Sequence, residues 1–199
     1  MRQIYANYDK DGIYVYQAFK RKIVDAALEK GTFGEGFSLE RMTWIKPSFG
    51  WMLYRSRYAT KSRQEAILKI KICHEGFLKI LSCAAVSSYS ENLFVNKRQW
   101  RDQLKSTSVR YQWDPDRDLH LNKLRRRAIQ LGISGDVIHD YVNKYIMSLE
   151  DVTSLAHEIK KVFRTKKSAR TEKLPEVPLE TIYNVTDTKI RQRLQIDEV

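Results

Sequence analysis

The chain has 199 residues, enough for one domain with a sizeable core or one domain plus a tail. Hydrophobic content of 42% and charged content of 30% speak against a disordered chain, and no stretch nears the roughly eighteen uncharged apolar residues that a membrane-spanning helix needs. Thirty-six Lys and Arg against 24 Asp and Glu give a net charge of +12, which favours polyanionic partners: nucleic acid, a nucleotide or an acidic membrane surface.

In chain order, RQIYA near the start reads as a short strand, and YDKDG at 8–12 as a turn. IYVYQAF follows with the β-branched and aromatic content of a second strand. Ala18 to Lys30 reads as an amphipathic helix with Ile23, Val24, Ala27 and Leu28 on one face, closed by Gly31. TFGEGFS is a loop without the GKS or GKT ending of a phosphate-cradling loop. ERMTWIKPS is extended, and Ser48 is placed to cap a helix from Phe49 to about Tyr58.

Ala66 to Ile72 alternates apolar residues with Lys69 and Lys71, as a half-buried strand does. A helix from about Glu75 to Val86, a loop at SSYSEN and a short helix from Lys97 to Lys105 come next. Val109 to Trp113 reads as a strand ended by Pro115, and Arg127 to Ile133 as another. A turn at SGD leads into helical residues from Val137 to about Met147. Ser148 and Asp151 resemble a capping box for a last long helix whose stripe is Val152, Leu155, Ile159 and Val162 or Phe163. The expected architecture is one α+β domain over 1–163, with about six strands and five helices, a basic linker over 164–173, and an arm over 174–199 docking on the same domain.

Cys73 and Cys83 do not form a disulfide framework or a zinc spacing, so no metal is expected and a reducing compartment is. With no signal-peptide core at the start, a cytoplasmic protein that does not enter the membrane is expected, and the basic tail is compatible with a nuclear location.

The densest stretch is RMTWIKPSFGWMLYRSR, Arg41 to Arg57, which interleaves two Trp, a Phe, a Tyr and two Met with three Arg and a Lys. Flat rings stack on rings, and guanidinium forks fit phosphate or carboxylate oxygens. Such a mixture suits the wall of a pocket for an aromatic, anionic ligand; the plain alternative is a buried aromatic core with snorkelling basic ends. Arg41, Trp44, Lys46, Ser48, Tyr54 and Arg55 are the candidate lining, together with Gln17. Strand alternation puts Trp44 and Lys46 on one face. QWDPDRD at 112–118 supplies Asp114 and Asp118 as candidate supports that hold an arginine, Arg55 first; Asp114 otherwise caps the turn at Pro115. His74, His120, His139 and His157 are scattered without visible partners.

IYVYQAF, RMTWIKPSFGWMLYRS, QWDPDRD, RAIQLGI and the closing LPEVPLETIYNV resemble, in order, the signature blocks of the family catalogued as domain of unknown function forty-two ninety-one. Gly50 and His74 depart from the larger apolar residue and the arginine expected in those blocks. The resemblance spans almost the whole chain and implies no activity. The element order also resembles the compact NAD-binding fold of ADP-ribosyltransferases. That likeness implies NAD as cofactor and, by position, catalytic roles for Gln17 and Gln130, with Ser48, Trp44 and Tyr54 around the nicotinamide. It departs from the usual pattern in having Gln17 for His or Arg and Gln130 for Glu.

Three functions follow as expectations: an ADP-ribosyltransferase-like enzyme, acting on nucleic acid in one version; a non-catalytic RNA-binding module using basic and aromatic residues; or a structural or interaction protein in which both motifs are core.

Overall fold

The computed structural model describes residues 1–164 and 175–198. The basic linker expected at 164–173 therefore lies, beyond Arg164, outside the described residues. In chain order the elements are β1 (Tyr5–Ala6), β2 (Gly12–Phe19), α1 (Arg21–Lys30), β3 (Thr43–Ile45), α2 (Phe49–Ser56), β4 (Ala66–Cys73), α3 (His74–Cys83), β5 (Ala84–Val86) and α4 (Lys97–Lys105). They continue with β6 (Val109–Arg117), β7 (Lys123–Ile133), α5 (Gly135–Asp140), a π-helical turn (Tyr141–Tyr145), β8 (Ile146–Asp151), α6 (Thr153–Arg164), β9 (Thr181–Ile182) and α7 (Thr188–Leu194). The class is α+β, with mixed sheets packed against helices.

Three sheets carry the fold: β1-β9, β2-β4-β8 and β3-β7-β6-β5. The two larger ones meet where Tyr16 and Lys46 exchange backbone hydrogen bonds, Tyr16 N–H to Lys46 O at 2.7 Å and Lys46 N–H to Tyr16 O at 3.2 Å. This single bridge makes β2 and β3 neighbours and creates a seam between the sheets. Strand alternation then sorts the residues of β3, β7 and β6. Ile45, Leu131, Ile133, Val109 and Tyr111 enter the main core, while Trp44 pairs with Gly132, and Gln130 with Gln112, in the intervening register positions.

Several local expectations need correction. The helix starting at His74 ends at Cys83, and Ala84–Val86 instead pair in parallel with β6. β6 does not stop at Pro115: it runs on to Arg117, with a register irregularity between Pro115 and Arg117. A bulge lets a residue without an N–H stay inside an antiparallel pair, and it turns Asp116 fully inward. The helix expected over 137–147 breaks into α5 and the π-helical turn, and Ile146 already begins β8 against β4. Ser148 therefore sits in a strand opposite Lys71 and caps nothing. Asp151 performs that task for α6, accepting from Thr153 N–H at 2.9 Å. On α6, Ala156 joins Val152 and Ile159 as buried, while Leu155 and Phe163 pack at the margin.

The described residues from 175 onward pack on the rest of the domain. Tyr183, Val185, Ile190, Leu194 and Ile196 belong to the same core as β2, β4 and β7. Tyr111 Oη and Trp113 Nε1 donate to the backbone oxygens of Arg193 and Leu194 at 2.9 and 2.8 Å. Gly50 explains itself here: a Cβ on it would stand 2.1 Å from Arg117 O, so α2 can lie this close to β6 only without a side chain at that position. No described helix is long and apolar enough to cross a membrane.

Candidate functional site

A cavity of about 530 Å³ opens at the seam between the two larger sheets. Its wall is α2, which starts where Ser48 Oγ accepts from Trp51 N–H at 3.1 Å, a side-chain cap that offsets one unpaired donor of the first turn. Nearly all of α2 is buried; Tyr54 and Arg55 are the side chains it leaves toward solvent, and both line the cavity. The floor comes from β3, β6 and β7, whose register places Trp44, Gln112, Asp114 and Gln130 along it.

Trp44 and Lys46, separated by two in an extended strand, both line the cavity. The Trp44 indole packs over the bare backbone of Gly132 and takes part in no ring–ring contact among the described residues. Tyr54 is differently placed. It stacks on Trp51 at 5.1 Å, and the Arg117 guanidinium sits 3.9 Å from its centroid. Neighbours therefore fix Tyr54, and Trp44 is the ring left to meet a ligand.

Lys46 is almost fully buried and donates to Trp44 O at 3.0 Å. Burial, reinforced by the positive Arg55 nearby and opposed by Asp114, pushes its ammonium pKa down to about 7. The cavity thus has a lysine whose charge changes near neutrality, beside the Arg55 guanidinium.

Asp114 is the carboxylate of the floor. Its Oδ2 accepts from Gln112 Nε2 at 2.8 Å and from Gln130 Nε2 at 2.5 Å. The two glutamines face each other across the β6–β7 ladder, so the strand register itself builds this clamp. Gln17 lines the cavity as well, but its amide is committed. Nε2 donates to Thr43 Oγ1 at 2.6 Å, and Oε1 accepts from Tyr141 Oη at 2.8 Å.

Two polar atoms of the lining residues are buried without a partner: the Trp51 indole Nε1, a donor, and Gln64 Oε1, an acceptor. Buried polar groups are nearly always paired. Tyr16 Oη, Arg110 Nε and Arg117 Nε are unpaired in the same way outside the lining, so these atoms do not by themselves mark the cavity.

Of the residues singled out from sequence, Gln17, Trp44, Lys46, Tyr54, Arg55, Asp114 and Gln130 come together here. Arg41 is exposed and outside the lining. Ser48 is buried below α2, donating to Asp116 Oδ1 at 2.6 Å. Asp118 holds the β6–β7 turn, accepting from Asn122 N–H at 2.8 Å and Nδ2 at 3.1 Å. Neither Asp114 nor Asp118 holds Arg55. Within QWDPDRD the carboxylate that holds an arginine is Asp116, 2.7 Å from Arg126 Nε. Glu180 completes that buried cluster, accepting from Phe49 N–H at 2.5 Å with Arg126 at 3.6 Å. Burial outweighs both and pushes the Glu180 carboxyl up to about 8, with Asp116 adding to the rise. Among the described residues, no three His, Cys, Asp or Glu side chains gather as a metal site.

Sequence reasoning missed Gln112 and Gln64 as lining residues, and Glu180 as a support. Gln112 was recoverable, because antiparallel pairing of QWD with RAIQ sets it against Gln130; Glu180 was not, since it meets Phe49 across 131 residues.

Residues 3–183 match the model of a family described as Domain of unknown function (DUF4291), and the chain belongs to that family. A comparison with curated proteins finds no match.

Proposed function

We propose that the seam cavity binds NAD and that the protein is an ADP-ribosyltransferase-like enzyme cleaving the bond between nicotinamide and ribose. The observation that carries this reading is the Asp114 carboxylate, held by Gln112 and Gln130 on the floor of a cavity that also presents Trp44, Lys46 and Arg55. A ring needs a flat partner, and Trp44 supplies it. A pyrophosphate needs cations, and Arg55 and protonated Lys46 supply them.

The chemistry asks little of acids and bases. The ribose C1′–nitrogen bond breaks with its electron pair leaving on nicotinamide, which departs neutral. A ribosyl cation remains. In this reading Asp114, held by two amide donors, supplies the negative charge that stabilises that developing cation. An acceptor oxygen or nitrogen then attacks C1′ and loses its proton. That proton passes to water, while protonated Lys46 stays with the pyrophosphate. The two carboxamides keep Asp114 oriented without competing for the cation. In this reading Asp114 takes the role that position alone would have given to Gln130.

The test is release of nicotinamide from NAD by purified protein, with calorimetric titration of NAD alongside. Asp114→Asn preserves the shape and the Gln112 contact, and is expected to lower turnover by about two to three orders of magnitude with little change in NAD affinity. Absence of NAD binding at millimolar concentration would falsify the reading.

A further inference from the structure

A second cleft, about 660 Å³ in volume, lies directly beside the first, and the two share Tyr54 and Arg55 in their walls. It runs between the end of α2, the turn after it, and α6. Its cations are Arg55, Arg57, Lys61 and Lys160, and no carboxylate lines it. Among the described residues none of these four is in an ion pair; Lys160 is held instead by Thr60 Oγ1 at 2.9 Å. Unpaired exposed cations occur elsewhere too, and what sets these four apart is that they share one concavity whose lining holds no carboxylate. Four unneutralised cations around one concavity form a region of concentrated positive potential.

The backbone that presents them is unusual. Arg57, Tyr58 and Ala59 are three successive non-glycine residues in the left-handed region, with φ of 52°, 56° and 59°. L-residues enter that region singly at some cost, and runs of them persist only where the surroundings enforce them. The enforcement is visible: Ser56 Oγ accepts from Ala59 N–H at 3.1 Å, Tyr58 Oη donates to Leu119 O at 2.8 Å, and Tyr58 N–H donates to Leu53 O at 2.9 Å. The turn is thereby locked with Arg57 directed outward and Tyr58 buried. Strain maintained at the mouth of a cleft is a feature of ligand clamps.

We infer that this second cleft is a phosphodiester-binding site for a single-stranded nucleic acid whose terminal nucleotide reaches the seam cavity. The two clefts are contiguous across one aromatic and one guanidinium. The first offers a free indole face beside the polar side chains of Gln112, Asp114 and Gln130, the demands of a base or nucleoside. The second offers cations without acids, the demands of a phosphate chain. An acidic peptide would satisfy the second, but a polynucleotide joins a ring to a phosphate in every repeat, which fits two contiguous clefts of these two chemistries. The pyrophosphate of a free dinucleotide shares the phosphate chemistry, and the experiment separates the two sources. The terminal nucleotide and NAD would use the same Trp44 face in turn, so RNA binding is measured without NAD and tests the inference separately from the NAD reading.

The test is fluorescence anisotropy with a labelled eight-nucleotide single-stranded RNA, carried out on the full chain at several salt concentrations. The variant is Arg57→Glu/Lys61→Glu/Lys160→Glu. The control is Lys22→Glu/Lys189→Glu, which lowers the net charge outside both clefts. The expected result is a loss of at least tenfold in RNA affinity and a shallower salt dependence for the cleft variant, less than threefold for the control, and unchanged NAD affinity for both. A single-charge variant, Arg57→Gln, keeps the test informative if the triple variant fails to fold; it is expected to weaken RNA binding about threefold or more with an unchanged melting temperature. Equal losses in the cleft variant and the control, or no RNA binding by the unaltered protein, overturn the inference. So does a loss of NAD affinity with RNA affinity intact, since the cleft would then hold the dinucleotide's own phosphates.

Discussion

The indole of Trp44 lies so close against Gly132 that a Cβ built on the glycine would stand 3.0 Å from two of its ring carbons. The two residues face each other across β3 and β7, and a glycine there lets the indole lie down on the sheet rather than stand away from it. Gly132→Ala is therefore expected to push Trp44 into the cavity and to lower affinity for any ring-bearing ligand by about tenfold. The Met42 sulfur, 2.7 Å from the same built Cβ, would have to shift as well, so a stability loss of about 1–3 kcal/mol accompanies it. Tryptophan fluorescence, with ligand titration, reads both effects. An unchanged spectrum and affinity would mean that Trp44 does not contribute the ring face.

Lys46 should impose a pH dependence on anion binding. Its folded pKa of about 7 is below the ordinary lysine value of 10.5. Between these two values the unfolded chain holds the proton that the folded protein has released, so this group makes stability rise with pH from about 7 toward 10.5. Binding of a phosphate-bearing ligand runs the other way, because the charged form is lost as pH rises through 7. Lys46→Met is expected to stabilise the protein below pH 7, to flatten the alkaline rise, and to remove the pH dependence of ligand affinity. Melting temperatures and titrations at pH 6, 7.5 and 9 test this, with about 2–5 °C as the expected scale.

Glu180 predicts the opposite slope. Its folded pKa of about 8 stands above its ordinary 4.5, so the folded protein holds a proton that the unfolded chain has lost between those values. Its contribution to stability is complete below about 4.5 and is lost as pH rises through 8. Glu180→Gln keeps an acceptor for Phe49 N–H and removes the titration. The variant should match the parent near pH 5 and exceed its melting temperature at pH 9. If the parent's stability falls as steeply in the variant, the loss belongs to another group.

Much of the site was legible because strand periodicity is local information. Trp44 and Lys46 share a face by their spacing of two, and Ser48 caps α2 by the chemistry of a hydroxyl before a helix. What was not legible depended on partners distant in the chain. Pro115 looked like a strand end, yet the bulge beside it lets β6 continue and buries Asp116. Asp118 and Asp114 look alike within QWDPDRD, but one tightens a turn while the other faces the cavity; only the register with β7 separates them. The Glu75–Val86 helix was too long by three residues, since Ala84–Val86 are drawn into pairing with β6. Gly50 reads as an anomaly in a helix until Arg117 O is placed against it.

Gln17 and Gln130 give the sharpest separation of structural from functional roles at the seam. Both are glutamines, both are nearly fully buried, and both line the cavity. Gln17 spends its donor on Thr43 and its acceptor on Tyr141, whose hydroxyl lies in an interior that keeps it protonated at any ordinary pH. Gln17→Ala would leave two buried polar groups unpaired, each costing about 1–3 kcal/mol. Gln130 Nε2 donates to Asp114, which keeps Gln112 as a second donor when Gln130 is lost. Gln130→Ala is therefore expected to cost about 1 kcal/mol in stability but to lower nicotinamide release by about tenfold or more through a loosened Asp114. Gln17→Ala should do the reverse, lowering the urea midpoint clearly while the fraction that remains folded keeps its turnover. Urea titrations and turnover per folded molecule measure both. Comparable stability losses with comparable turnover in the two variants would remove Asp114 orientation as the function of the Gln130 amide.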